Sequence, residues 1–369
     1  MSVEVRFKGR LGNNMFQYTI GRIIAEHHGF ELDCRSRAVF PPQFKTTNRP
    51  PSTLTGLARY FRNAPLFIPG VRSQHLAESF IVGDTPGWNG YSIDLNKILE
   101  NSEPRKITLA GYFQRYEYFR PYRDKVRQWF SFAVLPVSHS IRHTDVLINI
   151  RRGLDYAIHD WLLPVTYYTN TLERLKGIGR VYICGTGIDA HIRQAFARYH
   201  PIYYDGSPME HLSFFQKFDR IILSNSTFSW WAGFLSDAAT LYAPIRMQGG
   251  PFGFRDNSGI DLNMHEPRYI EIGVNSRERS IFTIEQPTLR RLAGHLDCLG
   301  IQGCGERVIT ELQTLSAEDQ SLIRWLIAGK TSITISDMHD QSPNSDVSKV
   351  AWLLVRAGAL TLDPAVEGM

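Results

Sequence analysis

Val3, Val5 and Phe7 alternate with Glu4 and Arg6, the two-residue period of a strand whose faces differ. Gly9, Leu11, Gly12, Asn13 and Asn14 then read as a turn. Phe16, Ile20, Ile23, Ile24 and His27 recur on one helical stripe, and Gly29 is placed to end that helix in a left-handed conformation. Glu31 to Cys34 predicts a second strand. From about Arg35 to Lys106 the chain is rich in Pro, Gly, Ser and Asn and keeps no regular period. Order returns with a strand predicted at Ile107 to Phe113 and a helix from Glu117 to Phe130.

Beyond Asp145 the alternation is regular. Strands are predicted at Val146 to Ile148, Val181 to Cys184, Ile202 to Tyr204, Arg220 to Ser224 and Leu241 to Ala243. Helices fall between them: Tyr168, Leu172 and Leu175 before Gly177; Ile188, Ile192 and Phe196; Met209 to Phe218; Thr227 to Leu235. Strands alternating with helices imply parallel βαβ units, with ligands at the carboxyl ends of the strands. The pattern predicts an α/β protein of two Rossmann-like domains facing a cleft, residues 1–140 and 141–275. After about Asn275 the composition changes and the tail carries helical stripes (Leu315, Leu322, Ile323, Trp325, Leu326; Val350, Trp352, Leu353, Leu354), with polar Asp337 to Ser345 between them. Residues 276–369 are therefore expected to form a small α-rich appendage, of winged-helix kind among the options.

Composition narrows the function. With 369 residues, 43% hydrophobic and 21% charged, the chain can bury two or three cores and is not a disordered one. Its +5 formal charge favours an anionic ligand but is too small to imply nucleic acid. Cys34, Cys184, Cys298 and Cys304 form no C-x-x-C pair, so zinc or thioredoxin-like chemistry has no support. No D-x-D tripeptide occurs. The first residues hold no apolar run, and no stretch approaches the roughly 20 apolar residues of a membrane span. The expected location is cytoplasmic. Arg120, Tyr122, Arg123, Lys125 and Arg127 offer a basic and aromatic patch for peripheral contact with an inner membrane face.

Three segments carry candidate chemistry. Gly9 to Gln17 joins the first strand to its helix with small residues, allowing a ligand near the backbone and the free amides of a helix start. A tight structural turn explains the same residues, and the G-x-G-x-x-G spacing is absent. Asn149-Ile150-Arg151-Arg152-Gly153-Leu154-Asp155-Tyr156 sits at the carboxyl end of a buried strand. Arg151 and Arg152 point to opposite faces if the strand continues, so one can meet a diphosphate with bidentate geometry. A structural ion pair with Asp155 or Asp160 is the competing account. Ser224 to Trp231 places hydroxyls at a helix start, where they can cap the helix or bind phosphate, beside two tryptophans that packing alone would explain.

Taken together, these segments resemble the α-1,2-fucosyltransferase family (glycosyltransferase family 11-like) over roughly residues 3–245. Gly9-Arg10-Leu11-Gly12-Asn13-Asn14-Met15-Phe16-Gln17 follows that family's G-x-L-G-N-Q-M-F-Q. Asn149 to Asp155 resembles H-x-R-R-G-D-Y, and Asn225 to Trp231 resembles N-S-S-F-S-W-W. Gly111-Tyr112-Phe113-Gln114 and Tyr167-Tyr168 match its G-Y-F-Q and paired tyrosines. This chain differs in Asn149 for His, in the spacer Leu154 (one that protein O-fucosyltransferases also carry), and in Gly185-Thr186-Gly187 where an acidic pair is usual.

The resemblance implies a GT-B-like fold and an inverting, metal-independent transfer of fucose from GDP-β-L-fucose to a glycan hydroxyl, with α-1,2 the expected linkage. It assigns Arg151 to the departing β-phosphate and Arg152 to support. Ser226, Thr227 and the Phe228 amide go to phosphate oxygens, with Asn225 and Gly12 lining the donor. Asn149 and Asp155 go to base or ribose, and Asn13 to the reacting sugar or acceptor. No cofactor is implied beyond the donor, and the partners are a sugar nucleotide and a glycan acceptor, without nucleic acid. The general base, the acceptor and the oligomeric state stay open. So do a transferase for another sugar nucleotide and a non-catalytic carbohydrate- or nucleotide-binding protein on the same scaffold.

Overall fold

The computed structural model describes residues 2–36, 79–82, 93, 95–100, 106–132, 140–159, 161–246, 266–274, 281–297, 311–312, 314–328 and 330–362. Most of the Pro- and Gly-rich stretch, and Asp160, Cys298 and Cys304, lie outside these residues. In chain order the first elements are β1 (Ser2–Arg6), α1 (Leu11–His28), β2 (Glu31–Ser36), β3 (Ser79–Val82), α2 (Leu95–Glu100), β4 (Lys106–Leu109) and α3 (Arg123–Trp129). Next come β5 (Val146–Arg151), α4 (Leu154–Ile158), α5 (Val165–Glu173), β6 (Val181–Thr186), α6 (Ala190–Phe196) and β7 (Ile202–Tyr204). They are followed by α7 (Pro208–Phe215), β8 (Arg220–Ile222), α8 (Thr227–Leu235), β9 (Thr240–Arg246) and β10 (Tyr269–Val274). The last are β11 (Ile281–Ile284), α9 (Gln286–Asp297), α10 (Ala317–Leu326), β12 (Ser332–Thr334), α11 (Ile335–Gln341), α12 (Val347–Arg356) and β13 (Leu360–Leu362).

The protein is mixed α/β with parallel strands, as the alternation implied. Backbone contacts divide it into two compact units, Met1–His143 with Gly206–Glu271, and Thr144–Asp205 with Ile272–Met369. Each unit is thus discontinuous in sequence, and the break at 205/206 has no counterpart in the hydrophobic pattern.

In the first unit β2, β1, β4 and β3 form a parallel sheet in that order. α1 is buried along nearly its whole length from Leu11 to Ala25, so its stripe marks only one of the faces it buries. Gly29 ends it at φ 66° with its N–H on the Ala25 carbonyl, the left-handed close that glycine permits without penalty. Gly21 lets the helix lie directly on the sheet: a methyl there would stand 2.5 Å from Val5 Cγ2. Another face of α1 meets an aromatic cluster. Phe16 lies 5.1 Å from the Trp230 ring and 4.9 Å from Trp231, and Phe119 stacks on Trp231 at 5.6 Å.

The predicted helix from Glu117 to Phe130 is broken. Two single 3-10 turns, Tyr116–Tyr118 and Arg120–Tyr122, precede α3. Pro121 accounts for this, since it lacks an N–H and its ring clashes with a preceding helical turn. The predicted strand to Phe113 stops at Leu109, and Phe113 takes a left-handed φ of 53° although its side chain is buried. Within the same unit Glu266 is fully buried and receives Arg123 at 3.2 Å and Arg268 at 3.2 Å. Arg268 also donates to the carbonyls of Gly233, Phe234 and Ser236, closing the carboxyl end of α8. Arg123, Lys125 and Arg127 of the proposed membrane patch thus face Glu266, Glu26 and Asp237.

In the second unit β5, β6 and β7 pair in parallel, with Val146 opposite Val181 and Arg151 opposite Thr186. The C-terminal segment holds strands as well as helices. β11 lies between β12 and β13 in an antiparallel sheet, with Phe282, Ile333 and Leu360 buried. No helix among the described residues is long and apolar enough to cross a membrane.

Gly21→Ala is expected to lower stability by about 1–3 kcal/mol despite alanine's better helix propensity, because Val5 is fully buried and its branched side chain is stiff at χ1. Denaturant unfolding checks this, and an unchanged midpoint would refute the close packing of α1 on β1.

Candidate active site

The sequence-predicted residues fall into two groups, one in each unit. In the first unit the start of α1 is tied to the start of α8. Asn13 Oδ1 accepts from Gln114 Nε2 at 2.9 Å and from Thr227 Oγ1 at 2.8 Å. Gln17 donates to the Gly111 carbonyl at 2.8 Å, and its Oε1 accepts from the Lys8 amide. The left-handed turn at Phe113 delivers Gln114 to this network. Gly12 permits backbone-to-backbone approach: a methyl there would stand 2.5 Å from the Phe228 nitrogen and 2.7 Å from the Thr227 carbonyl carbon.

Ser226 is the N-cap of α8, accepting from the Ser229 amide at 3.0 Å, and its hydroxyl lies 3.2 Å from that of Ser224. Asn225 is buried between β8 and that cap. Capping therefore accounts for Ser226 as a folding residue, and the Thr227 hydroxyl is turned to Asn13. Tyr269 donates to the Trp230 carbonyl at 2.5 Å, and burial pushes its phenol far above the usual range, so it stays a donor.

In the second unit Arg151 stands at the last residue of β5. Its Nη1 donates to Thr186 Oγ1 at 2.8 Å, its Nη2 donates to Asp155 Oδ2, and its guanidinium carbon lies 4.5 Å from the centre of the Tyr156 ring. The ion pair with Asp155 is the one weighed from the sequence. Arg152 points the other way, as strand alternation requires: Nη1 reaches the Leu163 carbonyl at 3.4 Å, and Nε lies 4.0 Å from Asp189. Asn149 is buried with its amide 3.5 Å from both the carbonyl and the sulfur of Cys184. Asp189 caps α6 through the Ile192 amide.

Thr186 and Tyr156 were not among the site residues expected from the sequence. The register that sets Arg151 opposite Thr186 is what brings the hydroxyl there, and no local pattern encodes it. Gly185 and Gly187 flank it at φ 128° and 72°, a course that glycine adopts without strain. Among the described residues no three His, Cys, Asp or Glu side chains cluster as around a metal ion.

Residues 96–252 match glycosyl transferase family 11. The matched stretch takes in Arg151, Asp155 and the α8 start but not α1 or the segment beyond 252. No curated protein matches the chain. Among solved structures, a mutant of Arabidopsis thaliana FUT1 in complex with GDP aligns at 11% identity, covering 64% of this chain and 69% of that one, with a TM-score of 0.37. At that similarity the likeness carries no weight for fold or function.

Burial pushes the thiols of Cys34 and Cys184 up to about 12, in Cys184 against a lowering contribution from Asn149. The thiolate of each is then about a thousandfold scarcer at pH 8 than for an ordinary thiol, and it grows only as pH rises toward 12. Both cysteines are expected to resist a maleimide or disulfide reagent in the native protein and to react in urea, as peptide mass mapping would reveal. Rapid native labelling of Cys184 would contradict the buried β5–β6 contact.

Proposed function

We propose that the protein is an inverting glycosyltransferase of GT-B type that moves fucose from GDP-fucose to a glycan hydroxyl, forming an α-1,2 linkage on a galactoside-like acceptor. The observation that carries this reading is the family 11 match over residues 96–252, which includes both Arg151 and the 225–228 segment.

The local chemistry supports it. A guanidinium has five N–H donors, and Thr186 and Asp155 each engage one terminal nitrogen, so the remaining donors suit phosphate oxygens. Arg151 would neutralise the diphosphate as the bond to the sugar breaks, a charge-development role that needs no metal. Because Asp155, Thr186 and Tyr156 already fix its plane, little reorganisation accompanies that step. Arg152 and Asp189 secure the turn after β5. In the first unit, Asn13 with Gln114 and Thr227 forms a polar network at the α1 start, suited to the sugar or acceptor side.

A different sugar nucleotide is the second reading, favoured by two observations: the Asn149 amide is directed at Cys184, and Thr186 stands where the family has an acidic pair.

Release of nucleoside diphosphate from GDP-fucose, GDP-mannose, UDP-galactose and dTDP-rhamnose, in EDTA and with a galactose-terminated acceptor, tests the proposal. Turnover of GDP-fucose is expected, reduced about 10²–10³-fold in Arg151→Ala with smaller change in donor KM. Turnover of a UDP or dTDP donor alone would move the enzyme to another sugar, and absence of any turnover would sink the transferase reading.

A further inference from the structure

The family 11 match ends at residue 252, leaving the C-terminal segment without an assigned role. In this protein the core of that segment extends to α4. Tyr156, Ala157, Ile158 and Leu162 belong to the same buried cluster as Ile323, Leu354 and Phe282. α12 packs directly on α4. His159 Nδ1 lies 3.2 Å from the hydroxyl of Ser348, near the start of α12, and the His159 ring stacks on Trp161 at 4.5 Å.

α4 has five residues, too few to hold a helix without tertiary support. One side of this short helix touches Arg151: Asp155 pairs with the guanidinium and Tyr156 lies beneath it. Its other side, Ala157 and Ile158, is fully buried in the C-terminal core. Tyr156 does both, with Arg151 over its ring and only 7% of its own surface exposed within that core.

We propose that the C-terminal helices and their three-stranded sheet act as a built-in support for Arg151, with Tyr156 as the positioning residue through which the support is transmitted. The segment thereby belongs to the donor-binding apparatus rather than serving as a detachable docking domain. The proposal rests on Arg151 being the diphosphate-binding cation.

The test uses the full chain and three variants: Tyr156→Leu, Tyr156→Phe and the remote Leu354→Ala of α12. Calorimetric titration with GDP and with inorganic pyrophosphate separates affinity from the fraction of protein competent to bind. Tyr156→Leu and Leu354→Ala are expected to weaken both ligands roughly tenfold while stoichiometry stays near one, and Tyr156→Phe, which keeps the ring, should restore affinity to within about twofold. Hydrogen exchange without ligand is the second readout: Leu354→Ala should speed exchange across 151–158 and leave Val181–Thr186 as in wild type. If Leu354→Ala does not fold, Ser348→Ala, which removes only the contact to His159, should show the same exchange pattern in smaller degree. A merely structural role would lower the melting temperature and the stoichiometry while leaving affinity and local exchange unchanged, and that result overturns the proposal. Failure of wild type to bind GDP or pyrophosphate would instead defeat the donor reading, since the exchange readout involves no ligand.

Discussion

A guanidinium cannot discharge itself by losing a proton, so an arginine at the buried end of a parallel strand must be met by fixed partners. Arg151 is met on three sides, by Thr186 across the β5–β6 register, by Asp155 one helical turn on, and by the face of Tyr156. Those partners dictate much of the second unit. The glycines at 185 and 187 shape the strand end that presents Thr186, and α4 brings Asp155 and Tyr156 back under the charge. The C-terminal core in turn holds α4. A cation placed in this way is oriented before any ligand arrives, which is the condition for strong electrostatic stabilisation of a leaving diphosphate.

The first unit fixes its polar residues by a different route. Two helix starts approach closely because Gly12 has no side chain and because Asn13 accepts from both Gln114 and Thr227. Behind this polar contact Phe16, Trp230 and Trp231 fill the space between α1 and α8. The polar residues are therefore held by backbone geometry and aromatic packing rather than by a flexible loop.

Much of this was legible in the residues. Val3 and Val5 announced β1, Gly29 announced the close of α1, and Thr227 to Leu235 marked α8 at its observed limits. Arg151 stood out because a pair of arginines at a strand end demands partners, and Asp155 was weighed as one. Less legible were features set by distant pairing. Thr186 becomes a partner only through strand register, Gln114 only after a left-handed residue that nothing local requires, and Tyr156 only once the C-terminal core closes around it. Pro121 should have divided the helix predicted from Glu117, since its missing N–H is a purely local signal. The grouping of Gly206–Glu271 with the N-terminal residues is a long-range fact that periodicity does not carry.

We propose that Arg151, pinned by its neighbours, binds the diphosphate of a guanine nucleotide. Titration of GDP into wild type and Arg151→Lys in EDTA tests it most directly, because lysine keeps the charge but loses the planar fork. The account predicts metal-free binding by wild type, weakened about tenfold or more in Arg151→Lys, with the fold intact by circular dichroism. Equal affinity in the two proteins would show that the diphosphate is held elsewhere and would contradict the account.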